Sequence, residues 1–136
     1  MADYVISTDS TRLDAGFVER SLHTTYWAAG RTREAIEKSI AGSLCFGVYL
    51  EDSKEQVAFA RVVTDRSTFA WICDVFVDPN HRSRGLGKQL MSEIVQHPDL
   101  KGVTMYLGTR DAHGLYAKFG FTPWELMRRG LPARST

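Results

Sequence analysis

This 136-residue chain is extreme in nothing, and each missing extreme removes a class of protein. Neither charge is in excess: the formal net charge of +1 leaves no global basic field for nucleic acid and no acidic tail. No apolar run approaches the length of a membrane span, so no membrane partner is expected. Cysteine is scarce. Cys45 and Cys73 each sit inside an apolar run and read as core thiols rather than a disulfide or a metal pair. The opening Met1-Ala-Asp-Tyr4 lacks the build of a signal peptide, which makes the reducing cytoplasm the expected compartment. Repeats, linkers and low-complexity stretches are missing too. What remains is 43% apolar and 24% charged, the balance of an ordinary globular protein, with enough chain for one domain over residues 1–136.

Periodicity divides the chain into elements. Tyr4–Thr8 reads as a strand. Leu13–Thr24 carries Leu13, Phe17, Val18 and Leu22 at helical spacing, with Asp9 or Ser10 as its cap. A second helix starts after Thr32 and runs to about Ser43. Leu44–Leu50, Gln56–Thr64 and Thr68–Val77 read as strands joined by polar turns. Leu86–Gln96 is a helix with Leu86, Leu90, Ile94 and Val95 inward, stopped by Pro98. Val103–Leu107 is a strand whose helical crossover makes it parallel to Thr68–Val77. Ala112–Phe119 is a short helix capped by Asp111 and ended by Gly120, and Phe121–Met127 supplies a final strand interrupted by Pro123. The order is β-α-α-β-β-β-α-β-α-β, a mixed α/β fold.

The most informative stretch runs from Asp74 to Leu90: a strand, a turn, a basic glycine loop and a helix start. A helix N-terminus presents unpaired N–H groups and partial positive charge, which suits a phosphate. Gly85 and Gly87 let the backbone approach an anion, and Arg82, Arg84 and Lys88 add charge. Two familiar phosphate loops fail here. A Walker loop, G-x-x-x-x-G-K-S/T, would need glycine at position 82 and Ser or Thr after Lys88. A dinucleotide loop, G-x-G-x-x-G, would need glycine where Leu90 stands.

Arg82-x-x-Gly85-x-Gly87 resembles the R/Q-x-x-G-x-G/A acetyl-CoA loop of the GNAT superfamily of N-acetyltransferases. Downstream, Leu115-Tyr-Ala-Lys-Phe-Gly-Phe121 is similar to the L-Y-x-K/R-x-G-F signature of the same superfamily. The resemblance covers roughly residues 44–124. It implies a GNAT-like acyl-CoA N-acyltransferase fold: a mostly antiparallel sheet with one splayed parallel strand pair. It also implies acetyl-CoA as cosubstrate, no metal, and transfer of an acetyl group directly to a primary amine of a small molecule or peptide. The expected assembly is a monomer or a homodimer, the latter frequent in this superfamily.

Residue roles follow from the resemblance position by position. Val75, Phe76 and Val77 would pair with the pantetheine like an added strand, with Val103–Leu107 splaying away to leave the edge. Arg82, Ser83, Arg84, Gly85, Leu86, Gly87 and Lys88 would cradle the pyrophosphate. Tyr116 matches the family's general acid, and a phenol with a pKa near 10 can protonate a departing thiolate. Thr109 stands where relatives often carry Asn and would bond the cofactor. His113, one turn before Tyr116, is a second proton carrier or a surface residue.

The base is the least defined part. Many family members place Glu where this chain has Trp71. Asp74 follows three residues later, which by strict alternation puts it on the opposite face of the sheet. A carboxylate in an apolar strand invites a catalytic reading, or bonding at a bulge. His23 and water are the other candidates. The acceptor would lie against Tyr26, Trp27 and Trp71, as an aromatic wall for an amine or as residues closing the core. Two other readings compete with the enzyme. A non-catalytic acyl-CoA sensor fits the missing Glu, and a nucleotide hydrolase is opposed by the lack of a Lys-Ser/Thr pair or metal carboxylates.

Overall fold

The computed structural model describes residues 3–130. Residues 1, 2 and 131–136, which hold the start of the N-terminal segment and the end of the basic tail, lie outside the described residues. A mixed five-stranded sheet in the order β1-β2-β3-β4-β5 carries helices on both faces. Its strands are β1 (Tyr4–Ser7), β2 (Leu44–Leu50), β3 (Gln56–Thr64), β4 (Phe69–Val77) and β5 (Thr104–Leu107). The first four pair antiparallel; β5 joins β4 in parallel, the arrangement that a crossover through a helix permits.

Helices α1 (Ala15–Leu22) and α2 (Arg33–Ala41) cover one face, where Phe17, Val18, Leu22 and Ile36 meet Cys45, Phe59 and Phe76. Helices α3 (Leu86–Gln96) and α4 (His113–Ala117) cover the other. The helical spacing of Leu86, Leu90, Met91 and Ile94 buries one stripe of α3 on Phe46, Val48, Val62 and Ile72. Truncating Leu90, which is fully buried, to Ala would cost about 2–5 kcal/mol. Covered on both faces, β2 is apolar almost throughout. Gly47 interrupts it because the Tyr49 ring lies there: a Cβ would fall 2.6 Å from Tyr49 Cζ.

Helix starts follow side-chain capping, with two departures from expectation. Asp14, not Asp9 or Ser10, caps α1 by accepting from the Phe17 N–H at 3.0 Å; Asp9 instead caps a short turn at Ser10–Arg12. Ahead of α4, Thr109 Oγ1 accepts from the Ala112 N–H at 3.0 Å, displacing Asp111 as the stabiliser of that start. Thr32 caps α2 as its sequence suggests.

The final strand at Phe121–Met127 does not form. Gly120 turns the chain at φ +87°, and the Phe121 N–H bonds to the Tyr116 carbonyl while its ring packs edge-on against Tyr116 at 6.2 Å. That anchors the segment beneath α4, and Pro123 has no N–H to offer a ladder. Residues 121–130 are irregular, with Trp124, Leu126 and Met127 exposed, and β5 ends the sheet as an edge strand.

Candidate functional site

The site begins with a miscount between two strands. Across β3 and β4, Phe59 pairs with Phe76 and Arg61 with Cys73, so β4 spends three residue steps where β3 spends two. The extra residue forms a bulge at Asp74, whose φ of +55° lies in the left-handed region. On the other side of β4, pairing with β5 runs only from Phe69↔Thr104 to Ile72↔Leu107. Beyond Ile72 that edge of β4 has no partner strand among the described residues.

The backbone groups facing this open edge can be assigned. The Asp78 N–H bonds to the Val57 carbonyl at 2.8 Å, so Asp78 and, two residues back, Phe76 direct their backbone groups toward β3. Val75 and Val77 therefore turn theirs to the open edge. Arg82 Nε donates to the Val77 carbonyl at 3.0 Å, consistent with that oxygen having no ladder partner.

At the end of this edge lies the basic loop. Ser83 (φ +64°) and Gly85 (φ +77°) bend it onto the start of α3. The first intrahelical bond is from the Gln89 N–H to the Gly85 carbonyl, so Leu86, Gly87 and Lys88 have N–H groups without a helical acceptor, and no side chain caps them. A Cβ built on Gly87 would meet nothing within 4 Å, and its φ is not positive. The protein itself gives no reason for glycine there; a group seated against the helix start would. Arg82, Arg84 and Lys88 are exposed and, among the described residues, form no ion pair. The loop is tethered by Tyr4 of β1, whose hydroxyl bonds His81 Nδ1 at 2.9 Å and accepts from Arg84 Nη1 at 3.0 Å. An open strand edge leading to free N–H groups and unpaired cations fits a phosphorylated, amide-bearing ligand.

Tyr116 is half-buried beside a groove of about 450 Å³, which is also lined by Trp71, Tyr106, Thr109 and His113. Burial raises the Tyr116 pKa above its ordinary value, and Asp111 and Tyr26 push it the same way. The phenol therefore stays protonated at neutral pH. Trp71 stacks on its register partner Tyr106 with ring centres 6.3 Å apart. Tyr26 and Trp27 meet edge-on at 5.0 Å, both substantially exposed, with the Arg110 guanidinium 3.7 Å from the Tyr26 ring centre. His23 lies apart in a local bond to the Arg31 carbonyl.

Asp74 corrects one sequence expectation. Strict alternation would set it opposite Trp71, but the bulge shifts the phase and the side chain emerges on the α1–α2 face. There its carboxylate, only 2% exposed, accepts from Trp27 Nε1 (3.0 Å), Arg31 Nη1 (2.7 Å) and Arg61 Nε (2.9 Å). Its bonds at the bulge are to side chains rather than to backbone. Sequence reasoning missed Arg31, Arg61 and Tyr106. Arg61 left a signal: it is a charge inside the apolar run of β3, the natural counterpart of a charge inside β4.

Residues 42–123 match the family model described as acetyltransferase (GNAT) domain. A solved structure from Xanthomonas campestris pv. campestris, of a protein assigned to the GNAT family, superposes with a TM-score of 0.91 at 46% identity, covering 97% of this chain and 96% of that one. The ribosomal protein bS18 alanine N-acetyltransferase of Escherichia coli K12 is 26% identical over 136 residues, 94% of this chain and 86% of its own length. Glucosamine-6-phosphate N-acetyltransferase from Arabidopsis thaliana shares the fold alone, with a TM-score of 0.71 at 17% identity over 95% of this chain and 98% of that one.

Proposed function

The chain belongs to the GNAT acetyltransferase family, and from that premise we propose that it transfers an acetyl group from acetyl-CoA directly to a primary amine, as one cytoplasmic domain. The observation that carries this reading is the unpaired edge of β4 running into the uncapped start of α3. Acetyl-CoA supplies the activated acetyl thioester. Val75 and Val77 bind its amide-bearing arm through backbone N–H and C=O groups, and an N–H at this edge stabilises charge on the thioester carbonyl. Arg82, Ser83, Arg84, Gly85, Leu86, Gly87 and Lys88 hold the pyrophosphate, and Thr109 borders the cofactor's reactive end. Tyr116 donates its proton to the departing thiolate.

The acceptor amine enters along Tyr26, Trp27 and Trp71, where the aromatic faces attract a cation. Both carboxylate oxygens of Asp74 already accept hydrogen bonds, so we assign the amine's proton to solvent water rather than to Asp74. The acceptor is a small molecule or a protein amine; the bS18 relative lends support to the second.

Calorimetric titration with acetyl-CoA, with ATP and NAD as controls, tests the reading. Selective binding of acetyl-CoA followed by thiol release in the presence of amines is expected. A folded protein that ignores acetyl-CoA, or prefers ATP, would sink it.

A further inference from the structure

Beyond cradle and acid, one residue joins the two halves of the site. We propose that Asp74 is a positioning residue through which filling of the β4 edge orders the acceptor-side loop, residues 23–32. The inference rests on the acetyl-transfer reading above and adds to it a coupling between the two substrates.

Three observations carry it. Asp74 occupies the left-handed region inside a strand, a conformation that aspartate tolerates better than most side chains but that breaks the regular extended path of β4. The residue after it, Val75, opens the stretch of β4 that faces the unpaired edge. A rotation at Asp74 therefore moves the Val75 peptide and the carboxylate together.

The second observation concerns the loop. Its other hydrogen bonds stay within itself and the two adjoining helices: His23 to the Arg31 carbonyl, Thr24 to Ser21, Thr25 to Leu22, Ala28 to Thr25, and Thr32 accepting from Ala35 and Ile36 of α2. The two side-chain bonds that reach the sheet, from Trp27 and from Arg31, both end on Asp74. Arg61 holds the same carboxylate from β3 and reaches Ser43 at 3.1 Å, so the sheet side is fixed while the loop side is held by two detachable donors.

The third is energetic. A buried ionic cluster is a poor stabiliser compared with apolar residues of the same size. Its value at this position is geometric: it fixes where Trp27 stands, and with Trp27 the edge-on Tyr26 that forms the acceptor wall. An empty edge leaves the Val75 peptide free to rock and the loop correspondingly loose. A bound partner strand locks the peptide and holds the carboxylate at the distance both loop donors need.

Hydrogen–deuterium exchange on the full chain, with and without saturating acetyl-CoA, tests this. In the wild type, peptides covering 23–32 should slow by about fivefold or more on acetyl-CoA addition, alongside those covering 75–88. The double variant Trp27→Phe, Arg31→Met keeps the Asp74–Arg61 pair and alters two partly exposed side chains. It should bind acetyl-CoA within about threefold of wild type and protect 75–88, but lose the response of 23–32. Acetyl-CoA binding with an unresponsive wild-type loop overturns the coupling alone, as does a double variant whose loop still responds. Absence of acetyl-CoA binding to the wild type overturns the functional reading and the coupling with it.

Discussion

Arg82 folds back onto the strand that precedes it: its Nε donates to the Val77 carbonyl at 3.0 Å, and its guanidinium lies 5.5 Å from the Phe76 ring centre. The end of the open edge and the start of the basic loop are thus fastened by one side chain, which keeps further donors for an anion. Arg82→Ala removes both the fastening and the charge. A charge-assisted contact contributes about 1.5–3 kcal/mol, so acetyl-CoA affinity should fall about 10- to 100-fold by calorimetry. Arg82→Lys should recover only part of it, because an ammonium cannot serve the carbonyl and an anion with the same fork. Unchanged affinity in Arg82→Ala would remove the residue from the site.

The two loop glycines should respond oppositely in stability. Gly87 has open space around it and no positive φ, so Gly87→Ala should leave the urea midpoint unchanged or slightly raised. Gly85 sits at φ +77°, and Gly85→Ala should cost about 1–2 kcal/mol. Both should weaken acetyl-CoA binding, Gly87→Ala by placing a methyl where the ligand approaches. A Gly87→Ala protein with wild-type affinity would mean that the ligand does not use that surface.

Tyr116→Phe removes the proton and little else. The expected result is a loss of about 10²–10⁴ in turnover with acetyl-CoA affinity held within a few-fold. Because burial raises the phenol's pKa, wild-type turnover should show no alkaline decline assignable to this group until pH exceeds the ordinary tyrosine value of about 10. A decline near pH 8 that vanishes in Tyr116→Phe would contradict the assignment. Wild-type binding without turnover on any amine would favour a sensor.

Stability should fall on the alkaline side. Burial pushes the Cys45 thiol up to about 12, the Cys73 thiol to about 11 and the Tyr49 phenol to about 12. With folded pKa values above the unfolded ones, stability is fully present below the unfolded thiol value of about 8.5 and is lost as pH rises toward the folded values. Urea midpoints should hold level between pH 7 and 8 and decline between about 9 and 11. Cys45→Ala should flatten part of that slope, and both thiols should react slowly with disulfide reagents in the native protein.

Much of this site was legible because its signals are local. A glycine pair ahead of a helical stripe marks the uncapped start of α3, and the Leu115–Phe121 heptapeptide singles out Tyr116, which lies beside the groove. Asp74 was legible as an oddity but not as an arrangement. Its partner Arg31 lies 43 residues away, and the bulge that swings the carboxylate toward it breaks the alternation that assigns faces. The last strand was misread for a related reason. Phe121, Trp124 and Leu126 look like strand residues, yet the left-handed turn at Gly120 sends the chain under α4 instead of along β5. Local pattern proposes a strand; only the path of the chain decides whether a partner lies beside it.

The bulge at Asp74 is a residue the sheet could do without. Side-chain face and backbone direction both alternate along a strand. With Asp74 deleted, Cys73 and Phe76 would stand two steps apart opposite Arg61 and Phe59, the spacing of a regular ladder. Val75 and Val77 would still turn their backbone groups to the open edge, and Phe76 its own to β3. The shortened strand would lose the carboxylate that holds Trp27 and Arg31, and with it the tie between sheet and loop. The extra residue serves the loop rather than the pleat.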